Sequence, residues 1–227
     1  MKLSIVLPVL NEAAGIEAAL RALAPLRARG HELVVVDGGS TDGTLALAAP
    51  FAERVLSAPR GRASQMNCGA AAASGDALLF LHADTRLPRD AERRIETALA
   101  DGRHGWGRFD VRIEGRSRLL VMVAFCMNLR SRLSGIATGD QAIFVTRATF
   151  NAVRAFPAIA LMEDIEFSRR AKRISAPACL RDRVTISGRR WEREGVLRTI
   201  VLMWRLRLAY FLGAHPDALA SRYRIGA

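Results

Sequence analysis

The residues of this chain best suited to chemistry are two carboxylates, each placed after a short apolar run. Asp37 closes the run in LVVVDGGSTDGT, and Asp84 follows LLFL in LLFLHADT. Leu33 to Val36 and Leu78 to Leu81 are β-branched or leucine-rich and uncharged, the pattern of strands covered on both faces of a parallel sheet. Each acid therefore sits at the carboxyl end of its strand. Open α/β sheets bind ligands at that edge, so two acids delivered there predict a nucleotide and metal site. An Asp after a strand can also be a turn or helix-cap residue, and for Asp42 in STDG that plainer reading is the stronger one. A further acidic pair, Glu163 and Asp164 in LMEDIEF, opens a helical stretch running to Arg173, where its charge suits the helix dipole.

Alternating strands and helices must position these acids. LSIVL (3–7) reads as a strand, and a helix after Asn11 puts Ile16, Leu20 and Leu23 on one face. ELVVVD is the second strand, TLALAAPFA a short helix, and RVLSA a short strand. ASQMNCGAAAAS is a helix of small residues able to pack closely on a sheet. ALLFLHAD is the next strand, and Arg89 to Ala100 an amphipathic helix after Pro88. The pattern is a βαβαβ half, hence an α/β fold with a mostly parallel central sheet.

The 227 residues, half of them hydrophobic, suit one domain spanning 1–227, and no repeat or Pro/Gly/Ser-rich linker divides them. Cys68, Cys126 and Cys179 lie far apart, so neither a disulfide framework nor a zinc site is expected. The apolar run at the N-terminus is too short for a signal peptide, and a cytoplasmic protein is expected.

Charge divides the chain. Residues 1–115 hold 14 basic and 14 acidic side chains, whereas 116–227 hold 20 and 8, the whole net +12. Of the 34 basic residues only Lys2 and Lys172 are lysine, and arginine suits bidentate phosphate contacts. In the basic half, Leu119 to Leu129 carries no charge between Arg116 and Arg118 before it and Arg130 and Arg132 after it. It is too short to span a bilayer. Val196 to Leu212 has helical apolar spacing interrupted by Arg198, Arg205 and Arg207. Such segments can lie reversibly on the cytoplasmic face of an anionic membrane, or they can cover the sheet or make a subunit contact.

Taken in order, LSIVLPVLNEAAGI, VVVDGGSTDGT, LHADT, MEDIEFSRR and RRW resemble the family 2 glycosyltransferases of the GT-A fold over about residues 2–195. Within that family, GRASQMNCGAAAASGDALLFLHADTRLP is similar to a bacterial branch associated with radical-SAM proteins and arsenosugar biosynthesis. The resemblance implies an inverting enzyme that moves a sugar from a nucleotide-sugar donor, most simply a UDP-sugar, to an acceptor hydroxyl. It makes 1–115 the donor half and 116–227 the acceptor side.

By this resemblance, Pro8, Asn11 and Glu12 shape the first loop around the donor, and Asp37 accepts a hydrogen bond from the uracil imino N–H. Arg60 or Arg62 approaches the base or phosphates, or stays a solvated loop charge. Asp84 is the matching final acid of the family's Asp-x-Asp motif and ligates a divalent cation, Mn²⁺ or Mg²⁺. That motif reads His82-Ala83-Asp84 here, so His82 can coordinate the ion, bond to ribose or only shape the strand end. Asp164 is the implied general base, with Glu163 turned to structure, while Asp140 and Gln141 line the acceptor cleft beside Gly139. Arg190 would meet the diphosphate, and Trp191 would pack on the acceptor side.

Two other classes fit less well. A nucleotidyltransferase is expected to carry a Gly-rich loop with Arg and Lys where this chain has PVLNE. A non-catalytic module for membrane or nucleic acid would account for the charge but gives Asp84 and Asp164 no purpose. Nucleic acid is therefore not an expected partner.

Overall fold

The computed structural model describes residues 1–225, organised on a seven-stranded sheet. Its strands are β1 (Leu3–Val9), β2 (Glu32–Asp37), β3 (Arg54–Ser57), β4 (Ala77–Phe80), β5 (Trp106–Glu114), β6 (Phe144–Thr146) and β7 (Ala178–Ser187), in spatial order β3-β2-β1-β4-β6-β5-β7. The first four run parallel, β6 is antiparallel to both its neighbours, and β7 is parallel to β5. The helices are α1 (Ile16–Ala28), α2 (Thr44–Ala48), α3 (Arg62–Ala72), α4 (Ala91–Ala100), α5 (Leu119–Ser134), α6 (Arg147–Ala152), α7 (Glu163–Ala171), α8 (Arg189–Glu194), α9 (Val196–Phe211) and α10 (Pro216–Ile225).

Strand alternation sends side chains to both faces, and helices cover both. Ile5, Leu7, Leu33 and Val35 close one core with Ile16, Leu20 and Leu23 of α1 and with Leu120 and Val123 of α5. Val6, Val34 and Val36 close the other with Ala63, Met66 and Ala70 of α3. The expected small-residue packing is tight at Gly69, where an added Cβ would stand 2.4 Å from Val6 Cγ1. No larger residue fits there without moving the helix.

β1 lies between β2 and β4, with Val9 opposite Asp37 and Val6 opposite Phe80, so three strand ends share one edge. β4 ends at Phe80, and His82 and Asp84 sit on the loop beyond it rather than on the strand expected to reach Asp84. The helix expected from Arg89 begins at Ala91, after Asp90 in a left-handed conformation (φ 55°).

β5, at the end of residues 1–115, and β7, in 116–227, are strands that carry charges. On β5, fully buried Arg108 pairs with Asp110, which also receives Arg132 Nη2 of α5 at 2.8 Å. An aromatic layer seats α7: its Phe167 stacks on Phe156 with centroids 4.5 Å apart and meets Trp106 edge-on. Among the described residues no helix is long and apolar enough to cross a membrane.

Candidate active site

The first loop is tied to the second. Asn11, at φ 54°, donates its N–H to Ser40 Oγ (2.8 Å) and accepts from Thr41 N on Oδ1 (2.9 Å). Glu12 N donates to Thr44 Oγ1 at 2.9 Å. Pro8 lies within β1 opposite Val36. The Glu12 side chain is half-buried, and burial first, then the charge of Asp84, raises its pKa while Arg189 opposes them. Glu12, Asp84 and Arg189 therefore share one field.

Asp37 is only 2 % exposed. Its Oδ2 accepts from Gly39 N (2.8 Å) and Ser40 N (2.9 Å), and its Oδ1 accepts from Ser40 Oγ. These bonds hold the DGGS turn and leave Oδ1 one further lone pair. Gln65, which the sequence did not bring forward, donates Nε2 at 2.8 Å to both Val9 O and Val36 O and joins the ends of β1 and β2. A glutamine on the sheet-facing side of a small-residue helix was the available signal.

Asp84 is exposed at a cleft of about 740 Å³ that runs between α1, with Ala18, Ala22 and Leu26, and the 85–92 segment, and reaches Thr185, Ser187 and Arg189; Asp37, Asp140 and Asp164 do not line it. His82 does not line the cleft, and its Nδ1 stands 3.4 Å from Asp140 Oδ1. Burial would raise the Asp140 pKa, but the hydrogen bond and charge of His82, with Arg62 and Arg207, hold it down at about 2. Among the described residues no group of three or more His, Cys, Asp or Glu converges in metal-holding geometry.

α7 grips the segment that carries Asp140. Four residues apart on one face of the helix, Asp164 accepts from Gly139 N on Oδ2 (2.8 Å) and Ser168 Oγ accepts from Ala137 N (3.1 Å). Asp164 Oδ1 takes its own following N–H, that of Ile165, at 2.7 Å. The turn is close because residue 139 is glycine: a Cβ there would approach His82 Cε1 and Nε2 to 3.0 Å. Left-handed Ala142 (φ 47°) and Met162 (φ 71°) flank the two acidic segments, a strain that sites tend to hold. Glu163 is 6 % exposed; burial and then the charge of Asp164 push its pKa up to about 7, against the pull of Arg62.

Two expected roles change. Gln141 is fully buried rather than lining a cleft, its Oε1 accepting from Thr138 N at 3.1 Å, because it closes the turn that presents Asp140. Trp191 packs as expected, against the core that holds Leu120, Val123 and Ile186. Arg190 is occupied by Glu194 (3.2 Å) and by the Tyr223 ring, 4.0 Å from its guanidinium, so it is Arg189 that shares the cleft with Asp84. Arg62, at the start of α3, acts on Asp140 and Glu163, whereas Arg60 is an exposed loop residue.

Residues 4–147 match the family model described as Glycosyl transferase family 2, and this stretch holds Asp37, Asp84 and Asp140. The chain belongs to that family. The chain is 41 % identical over 108 residues to a PGL/p-HBAD biosynthesis glycosyltransferase of Mycobacterium bovis, covering 44 % of this chain and 42 % of the relative. It is 40 % identical over 111 residues to the succinoglycan biosynthesis protein ExoA of Rhizobium meliloti, covering 43 % and 33 %. The chain thus matches less than half the length of these curated relatives.

Its GT-A fold is shared with S. aureus TarS in complex with UDP-GlcNAc (TM-score 0.66, 20 % identity, 82 % of this chain and 58 % of that one). It is also shared with the mannosyltransferase PcManGT of Pyrobaculum calidifontis in complex with GDP-Man and Mn²⁺ (0.61, 20 %, 98 % and 68 %). A third likeness is glucosyl-3-phosphoglycerate synthase of Mycobacterium tuberculosis with Mn²⁺ and UDP-glucose (0.59, 23 %, 82 % and 70 %). Asp164 lies beyond the family match, so its role rests on geometry and on the motif around it.

Proposed function

We propose that this enzyme is an inverting glycosyltransferase that uses a UDP-sugar, with residues 1–115 holding the donor and 116–227 forming the acceptor side. The observation that carries the reading is Asp164. Its carboxylate is fixed by Gly139 N–H and stands beside Asp140 and His82, on the sheet edge that also bears Asp37 and Asp84. In this reading Asp164 takes the proton of the acceptor hydroxyl while that oxygen attacks the anomeric carbon, and the bond to the diphosphate breaks on the opposite face. No covalent sugar intermediate forms, so the configuration inverts.

Mn²⁺ or Mg²⁺ fits as a companion of the nucleotide. One exposed carboxylate, Asp84, with Glu12 in its field, is a sparse oxygen donor set that leaves positions for phosphate oxygens. Bound there, the ion would neutralise charge on the departing diphosphate. His82 serves Asp140 in this scheme rather than the ion, and the ion-bearing complexes of PcManGT and the M. tuberculosis synthase are in keeping with it.

Likeness to the radical-SAM-associated branch would make the product an arsenosugar or another small glycoside. A reversible contact with an anionic membrane belongs to the same proposal. For the base, Glu163 is a second candidate, because a buried carboxyl near pKa 7 is poised for proton transfer.

The test is a UDP-sugar panel with and without Mn²⁺, the product configuration being read by NMR. Asp164→Asn should lower turnover by roughly 10²–10⁴ with donor binding unchanged, the range for general-base catalysis. Retained configuration refutes inversion. Near-normal turnover of Asp164→Asn together with collapse in Glu163→Gln moves the base to Glu163.

A further inference from the structure

α9 has two unlike faces. Inward, its Leu206 joins Met162 and Leu219 of α10 in a small core that takes in Leu161 and Ile165, so the helix lies over the residues on both sides of Asp164. Outward, Leu197, Val201, Trp204, Leu208 and Phe211, at helical spacing, are 65, 56, 73, 60 and 87 % exposed. A groove of about 850 Å³ runs along this face, edged by Arg198, Arg205 and Arg222. α5 adds to the surface. Its Leu120, Val123 and Ala124 share a core with Val196 and Ile200 of α9, while Val121, Phe125 and Leu133 are 73, 63 and 80 % exposed.

Monomers rarely leave so continuous an apolar face in water. Charge selects what covers it. α9 contains no acidic residue, and among the described residues Arg198, Arg205, Arg207 and Arg222 pair with no carboxylate. A second copy of this chain would set these arginines against each other. An anionic lipid surface would neutralise them, and a 16-residue amphipathic helix can lie in that interface but not cross it.

Positive charge continues inward to the catalytic acids. At the end of α5, Arg130 has Nε and Nη2 buried without a partner, and only Nη1 reaches an acceptor, Ile136 O at 3.4 Å. Burial first, then the repulsion of Arg207, lowers its pKa to about 10 although Asp164 pulls it up. A buried cation left unpaired is costly, and an anion arriving there completes it.

We propose that the outer faces of α9 and α5 dock on an anionic lipid bilayer and that the acceptor is an anionic lipid of that bilayer. Its hydrocarbon lies along α9, and its negative group is drawn to Arg207 and Arg130 beside Asp164. This rests on the glycosyltransferase reading above and names the acceptor class for it. It also departs from a small water-soluble acceptor.

The whole protein is floated with phosphatidylcholine vesicles, with or without phosphatidylglycerol, phosphatidylinositol or a polyprenyl phosphate. Anionic vesicles should bind at least about ten-fold more protein than neutral ones, and high salt should weaken this. Trp204→Glu with Phe211→Glu, both on exposed positions, should abolish flotation while leaving circular dichroism and UDP binding unchanged. With labelled UDP-sugars, label should enter a vesicle lipid, and Arg207→Gln should lower lipid labelling more than donor hydrolysis.

No flotation at low salt, equal binding to neutral vesicles, or flotation that survives the double substitution overturns the docking. Self-association removed by the double substitution, without vesicle binding, assigns the face to a second copy instead. Label found only in water-soluble product overturns the acceptor assignment. A wild-type enzyme that hydrolyses and transfers from no UDP-sugar counts against the donor reading, while flotation still decides the docking.

Discussion

Glu163 and Asp164 are adjacent in the chain but held differently. Asp164 is hydrogen-bonded to two backbone N–H groups, whereas Glu163 is buried with the charge of Asp164 against it and a pKa near 7. The raised value has a consequence for stability. Between its ordinary 4.5 and about 7 the folded protein keeps a proton that the unfolded chain has released, so stability falls as pH rises through that window. The loss is on the order of 3–4 kcal/mol at most. Glu163→Gln should flatten this part of the pH–stability curve relative to the unmutated protein, as read from urea midpoints at pH 5 to 8. Parallel curves for the two proteins would show that Glu163 is not ionising there.

At the scale of elements, α3 decides how closely the ends of β1 and β2 can be drawn together. Gly69 allows the helix to touch Val6 and Val36, and Gln65 then reaches the carbonyls of Val9 and Val36. Gly69→Ala should destabilise by about 1–3 kcal/mol, the cost of overpacking a site that cannot give way, and should weaken UDP binding through displaced Gln65. Calorimetry of the variant with and without UDP measures both. An unchanged unfolding temperature would mean that the helix slides outward without cost.

β1, β2 and β4 were legible because uncharged runs of Val, Leu and Ile have few alternatives to a buried strand. β5 and β7 were not, because Arg108 and Asp110 on one, and Arg181 to Arg183 on the other, read as surface. A buried ion pair cannot be told from an exposed one by residue type. The positions of Asp37 at the end of β2, of Asp84 just beyond β4 and of Asp164 in the first turn of α7 were legible, but not the facing of their neighbours. Which of Arg189 and Arg190 faces the cleft depends on where α8 begins, and the burial of Gln141 depends on a turn that only the neighbouring segments specify.

For the molecule as a whole, the neutral half and the basic half meet where the 137–141 segment, held by α7, lies against His82 just beyond β4. α9 and α10 close over that junction through Leu206, 3 % exposed, and Leu219, fully buried, against Met162. This core is small and separate from the two large ones, so it should open on its own, at lower free energy than the sheet. Leu206→Ala removes its central side chain at a cost of about 2–5 kcal/mol. Hydrogen exchange should then rise across 196–225 and at Leu161 to Ile165 but not in β1, β2 or β4. Turnover should fall because Asp164 loses its cover, while UDP binding, built on the other half, should not change. If exchange instead rises uniformly through the sheet, the C-terminal helices belong to the same cooperative unit as β1, β2 and β4 and have no independent motion.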